Sequence, residues 1–205
     1  MPKQPLIVGK AVVIVIDIQK GSFLEDYDVG IAKMPGYVDN MRRSRRVIDA
    51  ARAAGVPVIF IQEAHRPDLV DFGRELDGDE TVHCVEGREG TELAAEVTGY
   101  TPADYFIRKR RYSAFFGTDL EILIKGLKAE TLILIGGLTD VCVHYTFADG
   151  HQHDYYCRVV ADGVGGSSQA AHDASLTAME YLQHGAVRRT DEIVAALGGR
   201  AVAAE

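Results

Sequence analysis

The sequence predicts an α/β protein in which a mostly parallel six-stranded sheet lies between two layers of helices, a three-layer α-β-α arrangement. Apolar runs of strand length alternate with amphipathic segments of helix length, and this alternation is typical of parallel sheets with right-handed crossovers. The strand-like runs are also continuously apolar, which indicates strands that are covered on both faces. With 205 residues, 47% of them hydrophobic, the chain can bury one contiguous core. We therefore expect a single domain over residues 1–205.

The first half of the chain predicts a β-α-β unit followed by a long loop. Residues 11–18 (AVVIVIDI) are a β-branched run that predicts a central strand. Residues 36–55 place apolar side chains at helical spacing and end in glycine, which predicts a helix. Residues 56–62 (VPVIFIQ) predict the second strand, with Pro57 at its start because proline cannot donate to a ladder. Residues 63–101 are polar and much longer than an ordinary connection, so a functional loop is expected there.

The second half of the chain continues the alternation in shorter units. Strands are predicted over residues 104–108, 131–135 and 155–161, with a short edge strand over residues 186–188. Helices are predicted between and after them, over residues 117–128, 141–150 (a short one), 169–184 and 190–197 (the terminal one). Gly136 and Gly137 are expected to end the fourth strand just before Cys142. The result is a Rossmann-like sheet, with residues 198–205 expected to fray.

Composition and charge exclude several classes of function. The formal net charge of -8 leaves no broad basic surface, so nucleic acid is not an expected partner. We expect no signal peptide, and no apolar run approaches the roughly 20 residues that cross a bilayer, so no membrane partner is expected. Three cysteines without CxxC spacing argue against a disulfide framework or a thiolate zinc site. A reducing, cytoplasmic location and a small-molecule substrate are therefore the expectation.

Three polar side chains follow apolar strands where the carboxyl edge of the sheet is expected. They are Asp17 after the first strand, Lys109 after the third and Cys142 beyond the fourth. Ligands of open α/β sheets bind at this edge, near the switch in strand order. A helix N-terminus and Lys109 would lower the pKa of the Cys142 thiol. Backbone amides of Leu138 and Cys142 would stabilise an oxyanion, while Asp17 would take and return a proton.

Each of these residues also has a purely structural interpretation. A lone cysteine is most often a small buried hydrophobe, and an aspartate at a strand end is often a turn residue. Lys109 belongs to the basic run of residues 108–111, and such a run usually forms a solvated face. Spacing alone does not choose among these four residues. A nucleotide-binding redox module would share the sheet, although residues 17–21 make a poor phosphate loop. A catalytically silent oligomeric binding protein is the other alternative.

Four segments of the chain resemble the isochorismatase-like cysteine hydrolases. They are residues 12–23 (VVIVIDIQKGSF), 109–124 (KRRYSAFFGTDLEILI), 132–150 (LILIGGLTDVCVHYTFADG) and 159–168 (VVADGVGGSS). The resemblance implies that Asp17, Lys109 and Cys142 form a catalytic triad, and it selects Lys109 from the basic run. It also implies a cis peptide bond between Gly137 and Leu138, the absence of a cofactor, and a homo-oligomer, either a dimer or a tetramer.

The activity implied by this resemblance is cleavage of a C–N bond in a small amide or ureide, through a covalent acyl-enzyme that releases ammonia. Residues 63–69 (EAHRPDL) are similar to a segment of biuret and related ureide hydrolases. Residues 83–87 (HCVEG) are similar to a lid segment of amidohydrolases that include those acting on carbamoylated amines. Biuret, triuret and carbamoyl compounds are therefore the expected substrates, with nicotinamidase-like or maleamate-type activity as the alternative. Isochorismatases proper resemble the chain in fold but lack the cysteine, so vinyl-ether cleavage is disfavoured.

Substrate-binding residues are predicted around the triad, because binding sites combine apolar walls with a few placed polar groups. The predicted set is Gln19, Phe23, Glu63, His65, Tyr112 and Phe115. The aromatic members fit a core equally well, and the polar members fit a role in organising the loop. Nicotinamidases bind a metal through an Asp-x-His pair after the second strand, whereas this chain has Glu63-Ala64-His65. His83 would complete such a site only if the loop folded towards it, and no metal is expected.

Overall fold

Six parallel strands form the centre of the protein. The computed structural model describes residues 5–25, 27 and 29–203, with side chains described as far as residue 199. The strands are β1 (Lys10–Ile16), β2 (Val58–Glu63), β3 (Tyr105–Lys109), β4 (Ala129–Gly137), β5 (Tyr156–Gly165) and β6 (Val187–Arg188). They form one sheet in the order β3-β2-β1-β4-β5-β6, and every neighbouring pair is parallel. The predicted six-stranded α/β sheet is confirmed, and it is wholly rather than mostly parallel.

Helices cover both faces of this sheet. Within the described residues they are α1 (Tyr37–Ala53), α2 (Ala95–Thr98), α3 (Leu120–Leu127), α4 (His144–Gln152), α5 (Gln169–Leu182) and α6 (Thr190–Ala203). Apolar side chains of α1 and α6 pack on one face with Val13 and Val15 of β1. Those of α3, α4 and α5 pack on the other face with Val12, Ile14 and Ile16. Alternation along a strand thus divides the core into two layers. None of the described helices combines the length and the apolarity that crossing a membrane would need.

Several predicted boundaries differ from those in the structure. We expected β4 to end at Ile135, but it continues through Gly136 and Gly137. At Gly136 the strand approaches β1 so closely that a Cβ atom would overlap the Ile16 carbonyl oxygen. Glycine at this position lets the two central strands stay in contact. β5 likewise extends beyond the predicted residue 161, to Gly165. The predicted fraying of residues 198–203 is wrong, since α6 continues to Ala203; residues 204 and 205 lie outside the described part.

The strand order places the switch of the fold between β1 and β4. From β1 the chain moves outward to β2 and β3, whereas from β4 it moves in the opposite direction to β5 and β6. A crevice therefore opens beyond the carboxyl ends of β1 and β4. Asp17 directly follows β1, and the turn that carries Cys142 directly follows β4. The topology alone accounts for the approach of two residues that are far apart in sequence.

Candidate active site

Asp17, Lys109 and Cys142 meet at this crevice. The Lys109 Nζ lies 2.9 Å from Asp17 Oδ2 and 3.4 Å from Cys142 Sγ. A carboxylate oxygen of Asp17 and the Cys142 sulfur lie within 4.8 Å of each other. Lys109 is fully buried and Cys142 is 6% exposed. The structure therefore brings together the three residues that sequence and resemblance selected, each from the end of a different strand.

Side-chain alternation on β3 explains why Lys109, rather than a neighbouring arginine, faces the site. Ile107 and Lys109 are buried, whereas Arg108 between them is exposed. The Arg108 and Arg110 guanidinium groups both pair with Glu86 Oε1, at 3.0 and 2.6 Å. The basic run therefore divides between a buried ammonium and a solvated face, and the structural interpretation holds for its arginines.

Glu63 is a fourth charged member of the site. Its Oε2 atom lies 2.5 Å from Lys109 Nζ and 3.4 Å from Cys142 Sγ. Its Oε1 atom lies 2.9 Å from His83 Nε2 and 3.4 Å from His65 Nε2. We predicted Glu63 as a substrate-binding residue, and it lines the pocket over Cys142. Both of its oxygens also contact neighbouring side chains, so Glu63 belongs to the ionic cluster at the end of β2 as well.

The two carboxyl groups beside Lys109 differ in acidity. Burial raises the pKa of Asp17 to about 6, and the Glu63 charge adds to the rise while the Lys109 ammonium opposes it. Burial also opposes ionisation of Glu63, but Lys109 and hydrogen bonds from His65 and His83 outweigh it, so the pKa of this carboxyl lies well below its usual range. At neutral pH both groups are ionised, and Asp17 is the stronger base.

The Cys142 thiol is protonated at rest, in contrast to the sequence-based expectation. Burial raises its pKa well above the ordinary value for cysteine; the charges of Glu63 and Asp17 add to the rise, and Lys109 opposes it. We expected a helix N-terminus and Lys109 to lower this pKa. The expectation is wrong because burial and the charges of the two nearby carboxylates outweigh the Lys109 ammonium; Cys142 itself lies in a π-helical turn, Thr139–Val143, ahead of α4. The thiol therefore needs a base to become a nucleophile.

The turn before Cys142 begins with a cis peptide bond between Gly137 and Leu138, which confirms the position that the resemblance implies. The Leu138 carbonyl oxygen accepts hydrogen bonds from the amides of Val141 and Val143, at 3.2 and 3.0 Å. This carbonyl is thereby turned towards the helix. Leu138 and Cys142 both line the crevice, where their own amide groups were predicted to stabilise an oxyanion.

A pocket of about 610 Å³, counted to its open mouth, lies over the thiol. Asp17, Glu63 and Cys142 form its charged floor. The walls are largely apolar or aromatic, and they include Tyr27, Val29, Ile31, Tyr37, Tyr112, Leu138 and Val141.

Of the remaining predicted substrate-binding residues, Gln19 and Tyr112 line this pocket. The Gln19 amide nitrogen donates to the carbonyl oxygens of Glu63 and Thr91, at 3.0 and 2.7 Å, so Gln19 ties the long loop to β2. Its predicted contact with substrate stays a prediction.

Phe23, His65 and Phe115 are not among the residues that line the pocket, and their contact with substrate stays a prediction. Phe23 packs against the core on the α1 face, and Phe115 packs against the opposite core beside Tyr155. His65 is fully buried and stacks on Phe72, with ring centroids 3.9 Å apart. An apolar or aromatic residue near a site has the same sequence signature whether it forms the wall or the core.

The long loop places four buried side chains where they can hold a metal ion. Glu63, His65, Glu75 and His83 each offer one donor atom, and these atoms lie within 4.8 Å of one another. Both Glu75 carboxylate oxygens are buried; Oε2 lies 3.2 Å from His65 Nε2, and Oε1 lies 3.9 Å from the Arg111 guanidinium. His83 Nδ1 contacts the Thr81 carbonyl oxygen at 2.6 Å, the arrangement that orients a metal-binding imidazole. Two imidazoles and two carboxylates fit a divalent transition metal.

Protonation of the two histidines is the other way to balance the negative charge of Glu63 and Glu75 in this cluster. Burial opposes protonation of His65, but hydrogen bonds and charges from Glu63 and Glu75 outweigh it and raise the pKa of His65 to about 9. Burial likewise opposes protonation of His83, and Glu63 reverses that effect, so the pKa of His83 is also raised. Without a metal, His65 is therefore cationic at neutral pH, and Glu63 favours the protonated form of His83 as well.

The sequence interpretation missed several residues of the site. Tyr37, Glu80 and Cys84 line the pocket, and Glu75 completes the buried cluster. His83 was considered only if the loop folded towards β2, and the loop does so through a bridge between His65 and Val85. Glu75 and Glu80 carry no signal that separates them from the other acidic residues of a polar loop.

Comparison with known proteins supports the arrangement. The family model of the isochorismatase domain matches residues 11–192. The ureidoacrylate amidohydrolase RutB of Methylorubrum extorquens strain AM1 is 29% identical over 200 residues, with 88% of this chain and 75% of that protein covered. The RutB of Yersinia enterocolitica is 30% identical over 190 residues, with 82% and 79% covered.

Two solved structures have the same fold over nearly their whole length. A cysteine hydrolase from Pseudomonas syringae pv. phaseolicola matches with a TM-score of 0.81 and 26% identity, covering 96% of this chain and 99% of that one. N-carbamoylsarcosine amidase from Thermoplasma acidophilum matches with a TM-score of 0.73 and 27% identity, covering 89% and 98%. With the family model matching most of the chain, the protein belongs to the isochorismatase-like hydrolase family.

Proposed function

We propose that the protein is a cysteine-dependent amidohydrolase that cleaves a C–N bond of a small ureide or amide and releases ammonia. One observation carries the proposal. A buried thiol lies at the floor of a pocket, within 4.8 Å of an oxygen of an ionised carboxylate, Asp17, and 3.4 Å from the Lys109 ammonium. Such an arrangement supplies a nucleophile, a base and a fixed positive charge.

Asp17 is the better candidate for the base, although Glu63 also contacts the thiol. A general base works best when its pKa lies near the operating pH. The pKa of Asp17 is raised to about 6, whereas that of Glu63 is held well below its usual range by Lys109 and two histidines. Transfer of the thiol proton to Asp17 is therefore less costly. Glu63 holds the Lys109 ammonium in place beside the Cys142 sulfur.

The proposed reaction starts with proton transfer from Cys142 Sγ to Asp17 as sulfur attacks the substrate carbonyl carbon. The negative oxygen of the tetrahedral intermediate would be stabilised by the amides of Leu138 and Cys142. Asp17 then gives its proton to the departing nitrogen, the C–N bond breaks, and ammonia leaves an acyl group on sulfur. In the second half, Asp17 takes a proton from water as the water attacks this thioester, the C–S bond breaks, and Asp17 returns that proton to the released thiolate. Lys109 stabilises the negative charge that passes between Asp17 and sulfur.

Ureides and carbamoyl compounds are the substrates we propose, with biuret and triuret as examples. The names of the relatives support this class, since one acts on ureidoacrylate and another on N-carbamoylsarcosine. The pocket supports it through its apolar walls around a polar floor. Maleamate-type amides would fit the same chemistry.

Ammonia release from a panel of candidates tests the proposal. The panel contains biuret, triuret, ureidoacrylate, N-carbamoyl amino acids, maleamate and nicotinamide. Wild-type protein should release ammonia from at least one ureide, and Cys142→Ala should lose that activity while its unfolding transition stays unchanged. Cys157→Ala is the matched control, because Cys157 is equally buried but does not line the pocket. Retention of full activity in Cys142→Ala would remove the mechanism, and inactivity of the wild type on the whole panel would favour a silent binding protein.

A metal-assisted, nicotinamidase-like amidase is the second candidate, and the buried cluster of Glu63, His65, Glu75 and His83 favours it. A bound ion would supply Lewis-acid polarisation of a substrate carbonyl. In this case the two histidines would release their protons on binding, and Glu63 would be shared between the ion and Lys109.

Metal analysis separates the two candidates. Purified protein would be exposed to Zn²⁺, Mn²⁺ or Fe²⁺, dialysed and analysed for bound metal, with His65→Asn as the comparison variant. One equivalent retained by the wild type and lost in His65→Asn would support the metal site. Equal metal content in both proteins would exclude it and leave the protonated histidines as the charge balance.

A further inference from the structure

The Glu80 carboxyl group occupies an unusual position in the pocket. Glu80 lies on the long loop and lines the same pocket as Asp17, Glu63 and Cys142. Its Oε2 atom is buried and has no hydrogen-bond partner among the described residues. A buried acceptor without a donor is energetically costly, and such groups in native proteins call for an explanation.

Nearby protein groups do not supply the missing donor. The closest cation is His83, whose Nε2 atom is 4.0 Å from Glu80 Oε2 and only 2.9 Å from Glu63 Oε1. Lys109 is occupied by Asp17 and Glu63, at 2.9 and 2.5 Å. The Glu80 side chain keeps 20% of its surface exposed, and the residue lines the pocket. An N–H group of a molecule bound in the pocket would supply the donor that this carboxyl group lacks among the described residues.

We propose that Glu80 is a specificity-determining residue that accepts a hydrogen bond from an N–H group of the substrate, on the part remote from the bond that is cleaved. This inference rests on the proposed function and narrows its substrate class. Substrates should carry a second nitrogen donor, as a ureide with two carbamoyl groups does. A carboxylate at the same place would face the charges of Glu80 and Glu63 and would be excluded.

A carboxylate-bearing substrate has one other place to go in this pocket. The Lys33 Nζ lies 3.4 Å from Ser22 Oγ and over the ring of Tyr37, and both of these neighbours line the pocket. Among the described residues no carboxylate pairs with Lys33. A preference for carboxylate substrates that depends on Lys33 is therefore the outcome that would contradict our proposal.

Two substrates with the same scissile carbamoyl group provide the test: biuret, which carries a second carbamoyl group, and N-carbamoylsarcosine, which carries a carboxylate. KM and kcat would be measured for wild type, Glu80→Gln, Glu80→Ala and Lys33→Met. Asp79→Asn is the matched control, because Asp79 is the exposed neighbour in the same loop. Loss of a hydrogen bond to a charged acceptor should raise KM for biuret about 10- to 150-fold in Glu80→Ala, with kcat little changed. Glu80→Gln should show a smaller rise for biuret and a lower KM for N-carbamoylsarcosine, and Asp79→Asn should show neither.

An unchanged KM for biuret in Glu80→Ala, or an equal change for both substrates, would overturn the inference. So would a wild-type preference for N-carbamoylsarcosine that Lys33→Met abolishes. Failure of the proposed function is a different result, namely no ammonia release that depends on Cys142. In that event the role of Glu80 is tested by calorimetry of biuret binding to the Cys142→Ala protein, with and without Glu80→Ala. Binding that is weakened by the second substitution supports the inference. Binding that is absent, or unchanged by the second substitution, rejects it.

Discussion

Replacing Lys109 with methionine should destabilise the protein strongly, because this buried ammonium holds two carboxylates at one place. Its Nζ lies 2.9 Å from Asp17 and 2.5 Å from Glu63, and the side chain is completely buried. Methionine has a similar length but no charge, so the two carboxylates lose their counterion. Removing one partner of a buried ion pair costs about 3 to 5 kcal/mol. For a chain of this size that lowers Tm by about 6 to 20 °C at neutral pH.

The loss should depend on pH in a defined direction. The pKa of Asp17 is already raised to about 6 in the wild type, and without Lys109 it rises further. A carboxyl whose folded pKa exceeds its unfolded value loses stability as pH rises through the folded pKa. The gap between variant and wild type should therefore widen above about pH 6 and narrow towards pH 5, where Asp17 takes up a proton.

Urea unfolding at pH 5 and pH 8 measures this effect. The control is Lys125→Met, since the Lys125 side chain is 68% exposed and pairs with Glu121 only on the helix surface. Exposed pairs of this kind contribute about 0 to 1 kcal/mol. If Lys109→Met were as stable as Lys125→Met at pH 8, Lys109 would not be the counterion of a buried cluster, and the account of the site would be wrong.

Three further predictions follow from individual contacts. Because burial raises the pKa of Asp17 to about 6 against the opposing charge of Lys109, kcat/KM should fall about tenfold per pH unit below pH 6, as the base is protonated. A value of kcat/KM that stays constant down to pH 5 would exclude Asp17 as the base. Burial lowers the pKa of His172, whose Nδ1 lies 2.8 Å from Thr139 Oγ1, so the free energy of unfolding should decrease as pH falls below the unfolded histidine pKa of about 6.5. In urea titrations, His172→Gln should make the free energy of unfolding less dependent on pH in this range. Gly136→Ala should prevent folding, since the added Cβ would overlap the Ile16 carbonyl oxygen, whereas Gly126→Ala, in open space on α3, should stabilise the protein by about 0.5 to 1 kcal/mol. Thermal melts that rank the two variants in the reverse order would contradict the packing of β4 on β1.

Much of the fold follows from hydrophobic pattern alone. β1, β2 and β4 are continuous apolar runs, and their burial on both faces leaves a parallel central sheet as the consistent arrangement. The position of the site then follows from topology, because a polar residue at the carboxyl end of a central strand lies at the switch in strand order. Asp17 could be predicted in this way. Choosing Lys109 from its basic run needed the resemblance, or the alternation that the structure shows on β3.

The rest of the site depends on tertiary contacts that no local pattern encodes. The long loop is held by buried hydrogen bonds from the Gln19 and Gln62 amides to the Thr91 carbonyl oxygen, both spanning many residues. These contacts bring Glu75 and Glu80 inward from a polar segment that resembles an ordinary surface loop. The high pKa of the Cys142 thiol likewise reflects burial and two carboxylates, which sequence distance does not reveal.

The central claim is that Cys142 becomes covalently acylated after Asp17 removes its proton. The most direct test is acid quenching of single-turnover reactions with a substrate identified from the panel, followed by peptide mass analysis of wild type and Asp17→Asn. We predict an acyl group on the peptide that contains Cys142 in the wild type and none in Asp17→Asn. Turnover of the same substrate without any acyl group on Cys142, or with the acyl group on another residue, would contradict the account.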